Sequence, residues 1–256
     1  MRESVEQLST LRCRIAGIER HRPAESAVLA AIGHEAIDRQ LGGGLARGRL
    51  HEVFAADAAD ASSAAGFAAM LAVRLGGVLV WLRTDEAEGR GGRVHAPGLG
   101  EIGIDPGRML FGVLPDPLAL LRAAAEVVRC PEVGVAVIEL WRMPRPLDLA
   151  ASRRLAVAAE ASGVTVLLLR VAAEPAPSAA QTRWSVRSAA STPMEADAPG
   201  CPAFDVELLR QRGGSSGQHW QVEWDRDRTC FHQAGGATAP IPGIVVPAAA
   251  GGSAGA

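Results

Sequence analysis

Apolar side chains recur along this chain in two rhythms. Residues 3–22 place Leu8, Leu11, Ile15 and Ile18 at helical spacing, which predicts one narrow apolar stripe on a helix that Pro23 ends. So short a stripe predicts a helix that docks on something rather than standing alone. Further on, continuous apolar runs at Val78–Leu82, Val133–Leu140 and Val164–Leu169, with Met109–Val113 as a fourth, alternate with helical stretches at Ala64–Leu75, Leu118–Val128 and Leu149–Ala161. Runs of this kind, closed by turn residues, predict buried parallel strands in an α/β sheet. Arg49–Phe54 alternates and reads as a further strand, set between the turn Gly42-Gly43-Gly44 and a small-residue loop, Ala55–Ser63. Past Arg170 the texture changes. Ala172–Ala180 and Ala189–Pro202 read as loops, and Phe204–Leu209 and Trp220–Trp224 flank Arg212–Gly217 as an antiparallel hairpin. Trp220 and Trp224 share one face of their strand, either as core or as a protein-binding hot spot.

Composition narrows the classes. The 256 residues, 48% hydrophobic, suit one large α/β domain with appendages: an N-terminal helix and linker over residues 1–31, a core over 32–232, and an Ala/Gly/Pro tail over 233–256 that carries no charge and is expected to be disordered. No uninterrupted apolar run reaches the roughly 18 residues of a membrane span, and Arg2, Glu3 and Glu6 do not suit a secretory leader. Cys13, Cys130, Cys201 and Cys230 are scattered without metal or redox spacing, so reduced thiols in the cytoplasm are expected. A net charge of −2 means that any contact with nucleic acid must come from a local patch. Residues 141–187 hold such a patch, with seven arginines against three carboxylates. All 26 basic residues of the chain are arginine; lysine is absent.

The stretch Ile32-Gly33-His34-Glu35-Ala36-Ile37-Asp38, then Leu41-Gly42-Gly43-Gly44-Leu45, then Arg47-Gly48-Arg49-Leu50-His51-Glu52-Val53-Phe54 resembles the lead-in to the phosphate loop of RecA-type recombinases. Later elements follow in the same order. Leu79–Leu82 resembles the strand ending at that family's catalytic glutamate, and Val135–Leu140 the strand of its magnesium-site acid. Arg153-Arg154-Leu155-Ala156 through Leu169 resembles the helix and strand before its second DNA-binding loop. The pair Arg183-Trp184 and the ending Leu208-Leu209-Arg210, Arg212-Gly213-Gly214, Trp220, Glu223-Trp224 are similar to the ImuA family. The resemblance implies a RecA-like P-loop NTPase-type fold with a mostly parallel central sheet, a degenerate nucleotide motif and a C-terminal hairpin. It also implies a part in SOS-induced translesion DNA synthesis and mutagenesis, beside the polymerase-like protein ImuB and an error-prone replicative-type polymerase. RecA itself and single-stranded DNA are further partners to expect. A SulA-like inhibitor of cell division is the alternative, and an active ATPase a third.

The residues themselves argue against catalysis. A phosphate loop needs glycine-rich backbone, a mobile lysine and a Ser or Thr for magnesium. Ala55, Asp57, Asp60, Ser62 and Ser63 offer small residues and two carboxylates where phosphates would lie, so the loop reads as vestigial, with no cofactor and no metal. Glu139 stands near the end of its strand, as a metal-site acid or as a local hydrogen-bonding group; Asp85 and Glu86 lie near the position of the family's catalytic glutamate. Arg142, Arg145, Arg153, Arg154, Arg183 and Arg187 are candidates for phosphate contacts, with Trp184 as a stacking platform. Ordinary solvated arginine on helices and loops is the competing reading. The six histidines are dispersed and fit no catalytic pattern.

Overall fold

The computed structural model describes residues 28–235 apart from 195–197 and 199. The helix expected over residues 3–22, Cys13, and the expected tail beyond residue 235 lie outside them. The described chain enters through β1 (Leu29–Ala30), α1 (Glu35–Gln40) and β2 (Leu45–Ala46), with β1 and β2 paired antiparallel. Asp38 ties this segment together by accepting the backbone N–H of Ile32 at 2.8 Å and of Gly33 at 3.0 Å. The Gly42-Gly43-Gly44 turn is demanded by space as well as by dihedral angle. Gly44 sits at φ +130°, and a Cβ there would fall 2.2 Å from the Ala30 carbonyl oxygen.

Six parallel strands follow: β3 (Leu50–Ala55), β4 (Val78–Thr84), β5 (Met109–Leu114), β6 (Val133–Trp141), β7 (Thr165–Val171) and β8 (Thr182–Ser188). β9 (Ala203–Gln211), β10 (Gln218–Asp225) and β11 (Cys230–Gln233) extend them as an antiparallel wing. The nine-stranded order is β11-β10-β9-β8-β3-β7-β6-β4-β5. The expected hairpin is β9–β10.

Helices cover both faces of the parallel part. α2 (Ala61–Leu75) lays Phe67, Met70 and Leu71 on Val53, Val137 and Leu169. The short α3 (Asp85–Gly91) and α4 (Ala96–Glu101) fill the connection to β5. On the opposite face α5 (Pro117–Val127) and α6 (Leu149–Ser162) set Leu120, Ala124, Leu155 and Ala159 over Leu50, Val80, Ile138 and Leu168. Alternate strand side chains feed these two cores, which is why the strands read as continuous apolar runs. Asp116 and Asp148 start α5 and α6 by accepting backbone N–H groups at 2.7–2.8 Å. The wing buries one face only. Trp184, Phe204 and Phe231 converge on Phe67, the last with ring centroids 5.1 Å from it, and Trp224 packs edge-on against Phe231 at 4.9 Å.

Two sequence expectations change. Ala55–Ser63 is not an open loop: Ala55 ends β3, Ala58–Asp60 form a 3-10 turn, and the helix begins at Ala61. The alanine-rich composition drives helix this early. The segment after Ala180, beyond the expected loop, forms β8, whose polar residues hid it: Thr182, Arg183 and Ser185 interleave with the buried Trp184 and Val186.

β8 is pinned to β3 by a buried polar relay. The Trp184 indole donates to Thr182 Oγ1 at 2.8 Å, and the His51 ring meets that hydroxyl through Nδ1 at 2.7 Å and the Ala46 carbonyl through Nε2 at 2.8 Å. A carbonyl only accepts, so Nε2 carries a proton. Burial pushes the ring's pKa down to about 4 from an ordinary 6.5, so near neutral pH the ring is uncharged and Nδ1 accepts from the Thr182 hydroxyl. Between those values the unfolded chain binds the extra proton and the folded chain does not, so stability falls as pH drops from 6.5 and levels off below about 4. The integrated loss is on the order of 3 kcal/mol. Urea denaturation across this pH range is expected to show that slope for the native chain, and a flatter profile for His51→Gln.

Candidate functional site

In open α/β sheets the ligand crevice lies beyond the carboxyl ends of the strands, where successive connections diverge. Here β3 leaves through α2 toward β4, while its neighbour β7 leaves toward β8 on the other side of β3. The residues compared in sequence with a phosphate loop, Ala55, Asp57, Asp60, Ser62 and Ser63, stand at this point. Asp57 is exposed and accepts the Ala59 N–H at 2.8 Å, closing the 3-10 turn on itself. Asp60 occupies the N-cap position of α2 and turns away to accept the Ser188 N–H at 2.8 Å and hydroxyl at 3.1 Å. Ser62 is exposed and Ser63 half-buried in the first helical turn. Amides that would cradle a phosphate are spent within the turn, and the nearby side-chain charges are negative.

The acid of β6 is committed elsewhere. Glu139 is buried and accepts from the Trp81 indole at 3.1 Å, the Trp141 indole at 2.9 Å and the Arg83 guanidinium at 3.0 Å. Arg83 also donates to the carbonyls of Ala87 at 2.5 Å and Gly92 at 2.8 Å, so the cluster latches α3 to the sheet. Glu139 is thus the local hydrogen-bonding group of the two alternatives that the sequence left open. Asp85 and Glu86 are exposed at the start of α3, and Glu86 pairs with Arg90 at 2.9 Å.

The arginine candidates divide. Arg142 and Arg145, on the loop after β6, and Arg153 and Arg154, on α6, are exposed, Arg142 with its Nε 3.8 Å from Glu86. Arg187 is exposed but paired with Asp205 at 3.0 Å. Arg183 and Trp184 must be withdrawn as surface contacts. Arg183 is buried, with Nε 2.8 Å from Glu52 Oε2 and Nη2 2.8 Å from Ser178 Oγ, and it joins β8 to β3. Trp184 is wholly buried between Phe67 and Trp220, so no base can stack on it. Two-residue alternation with Val186 was the signal that marked Trp184 as core. Sequence reasoning gave no site role to Glu52 or Arg170, both buried here, and expected the edge strand β5 only as a strand. β5 exposes Leu110, Phe111 and Val113 at 64%, 40% and 38%. Beside it opens an apolar cavity of about 470 Å³ lined by Val94, Leu99, Ile104, Met109, Phe111 and Val113.

The solved crystal structure of the RadB recombinase is similar to this chain, with a TM-score of 0.54 and 13% sequence identity, covering 80% of this chain and 100% of that one. No family model matches the sequence, and no curated protein matches it. At that identity the likeness is one of fold, and the chain has a RecA-like fold with a large, mostly parallel central sheet. Among the described residues, no helix is long and apolar enough to cross a membrane.

Removing one partner of a buried ion pair leaves the other charge stranded, at a cost of about 3–5 kcal/mol. Arg183→Ala is therefore expected to lose about that much stability in urea titrations, whereas Arg142→Glu and Arg145→Glu should lose less than about 0.5 kcal/mol.

Proposed function

We propose that this chain is a non-catalytic RecA-like adaptor of SOS-induced translesion DNA synthesis, an ImuA-type protein that assembles with an ImuB-like protein and an error-prone polymerase. The single observation that carries the reading is the corner between β3 and α2. There the fold keeps its strand-to-helix turn, but the turn carries two carboxylates, Asp57 and Asp60, in a chain with no lysine. A scaffold of this kind without a nucleotide clamp acts by binding. Support for a protein partner comes from β5, where exposed apolar residues on an unpaired edge adjoin an apolar cavity. Support for a DNA contact comes from Arg142, Arg145, Arg153 and Arg154, four guanidinium groups held outward on one loop and the helix that follows it. The lead-in motif and the Arg183-Trp184 pair carry the likeness to the ImuA family.

Affinity purification of the full chain from DNA-damaged cells should co-isolate the polymerase-like partner, and Phe111→Glu should weaken that recovery without unfolding the protein. Titration with fluorescent ATP and magnesium should show no micromolar binding and no turnover; turnover that depends on residues 55–63 would overturn the adaptor reading. Division arrest on expression, without any mutagenesis phenotype, would instead point to a SulA-like inhibitor.

A further inference from the structure

Among the elements that wall the cavity beside β5, one is poorly anchored. Residues 92–104 pass from α3 to β5 and bring Val94, Leu99 and Ile104 to the cavity, while the strand brings Met109, Phe111 and Val113. Both neighbours of this segment are fixed. α3 is latched to the sheet by Arg83, and β5 is paired with β4 along its length. The stretch between them is not. α4 has six residues, two of them glycine, and none is buried. A helix this short is marginal alone, and glycine weakens it further. The His95 side chain makes no capping bond at its start. Leu99 and Ile102, both partly buried, are its apolar hold on the core.

Two glycines bracket the segment. Gly92 (φ +75°) and Gly103 (φ +100°) lie in the left-handed region, where a hinge needs glycine. The second hinge leans on the wing. Glu101 pairs with Arg226 at 3.4 Å, an exposed pair of little strength. Gly103 abuts Thr229 so closely that a Cβ would fall 3.0 Å from its Cγ2. Thr229 is itself a β-branched residue at φ +48°. It is kept there by the Arg74 guanidinium, which donates to its carbonyl at 3.1 Å, and by the Arg228 N–H, which donates to Asp225 at 2.9 Å. A segment held by two apolar side chains and one exposed ion pair opens by local fluctuation while the sheet stays intact.

We propose that residues 93–102 are a flap over the apolar cavity, hinged at Gly92 and Gly103 and caught in its closed position by the β10–β11 turn. Its opening admits the partner that binds β5, a role that rests on β5 being the partner's edge. A partner that binds only the open form draws the flap open by mass action.

Gly98 and Gly100 have room for a methyl group: the atom nearest a Cβ is 3.4 Å away at Gly98, and none lies within 4 Å at Gly100. Alanine at both therefore stiffens the closed helix. Alanine at Gly103 instead drives against Thr229 and pushes the flap off its catch. Hydrogen exchange is followed by mass spectrometry in the native chain, Gly98→Ala/Gly100→Ala and Gly103→Ala, with fold checked by thermal melting and anilinonaphthalene sulfonate as the apolar probe. Amides of residues 94–104 should exchange faster than those of β4 in the native chain. They should exchange about tenfold slower in the double variant and about tenfold faster in Gly103→Ala. Probe fluorescence and recovery of the polymerase-like partner should both fall in the double variant and rise in Gly103→Ala. Exchange that follows this order while recovery is equal in every variant, Phe111→Glu included, upholds the flap and refutes β5 as the partner's edge. Recovery lost in Phe111→Glu yet unchanged by the flap variants overturns the flap as a gate. Exchange over 94–104 as slow as in β4, or alike in all three proteins, overturns the flap itself. Should Gly103→Ala fail to fold, Arg226→Gln, which frees Glu101, takes its place with the same expected sign.

Discussion

Phe67 is where the two halves of this protein meet. Its ring lies 6.2 Å from Trp184, 5.9 Å from Phe204 and 5.1 Å from Phe231, while its helix rests on Val53, Val137 and Leu169 of the parallel strands. Burying a side chain of this size contributes about 1.5–3 kcal/mol, but its position matters more than that sum. Without a large apolar group here, the antiparallel wing would keep its hydrogen bonds to β8 and lose its packing against α2. The wing, the orientation of β8 and the shape of the carboxyl edge all follow from this contact.

Charge is handled in the opposite manner. The sheet buries Glu52 with Arg183 and Glu139 with Arg83, and each carboxylate is also bonded by a neutral donor. Pairs of this kind specify geometry more than they add stability. They fix β3 to β8 and α3 to the sheet.

Much of this was legible in the pattern of residues. Val133–Leu140 and Val164–Leu169 announced β6 and β7 because strands buried on both faces need apolar side chains at every position. The antiparallel hairpin was visible because Arg212–Gly217 breaks two alternating runs. β8 was not, since it is apolar on one face and carries a buried ion pair and a hydroxyl on the other. The same fact misplaced Arg183 and Trp184: sequence shows that an arginine is present, while only the strand's direction shows that it points at Glu52. The cavity beside β5 draws on α4, the segments around it and the strand edge, none of which carries a periodic signal.

The sheet closes through its most distant parts. Phe231 donates its backbone N–H to the Ile32 carbonyl at 3.0 Å, the His34 ring meets the Gln233 side chain at 3.0 Å, and a Cβ on Gly33 would collide with Cys230 at 2.5 Å. Almost two hundred residues separate these partners, so the last strand must leave the ribosome before the first turn acquires its neighbours. During synthesis the nascent chain carries Phe67 and Trp184 without the ring that finally covers them. Such a topology, with its closing contacts far apart in sequence, folds late and slowly and leaves these apolar rings uncovered until β11 has emerged.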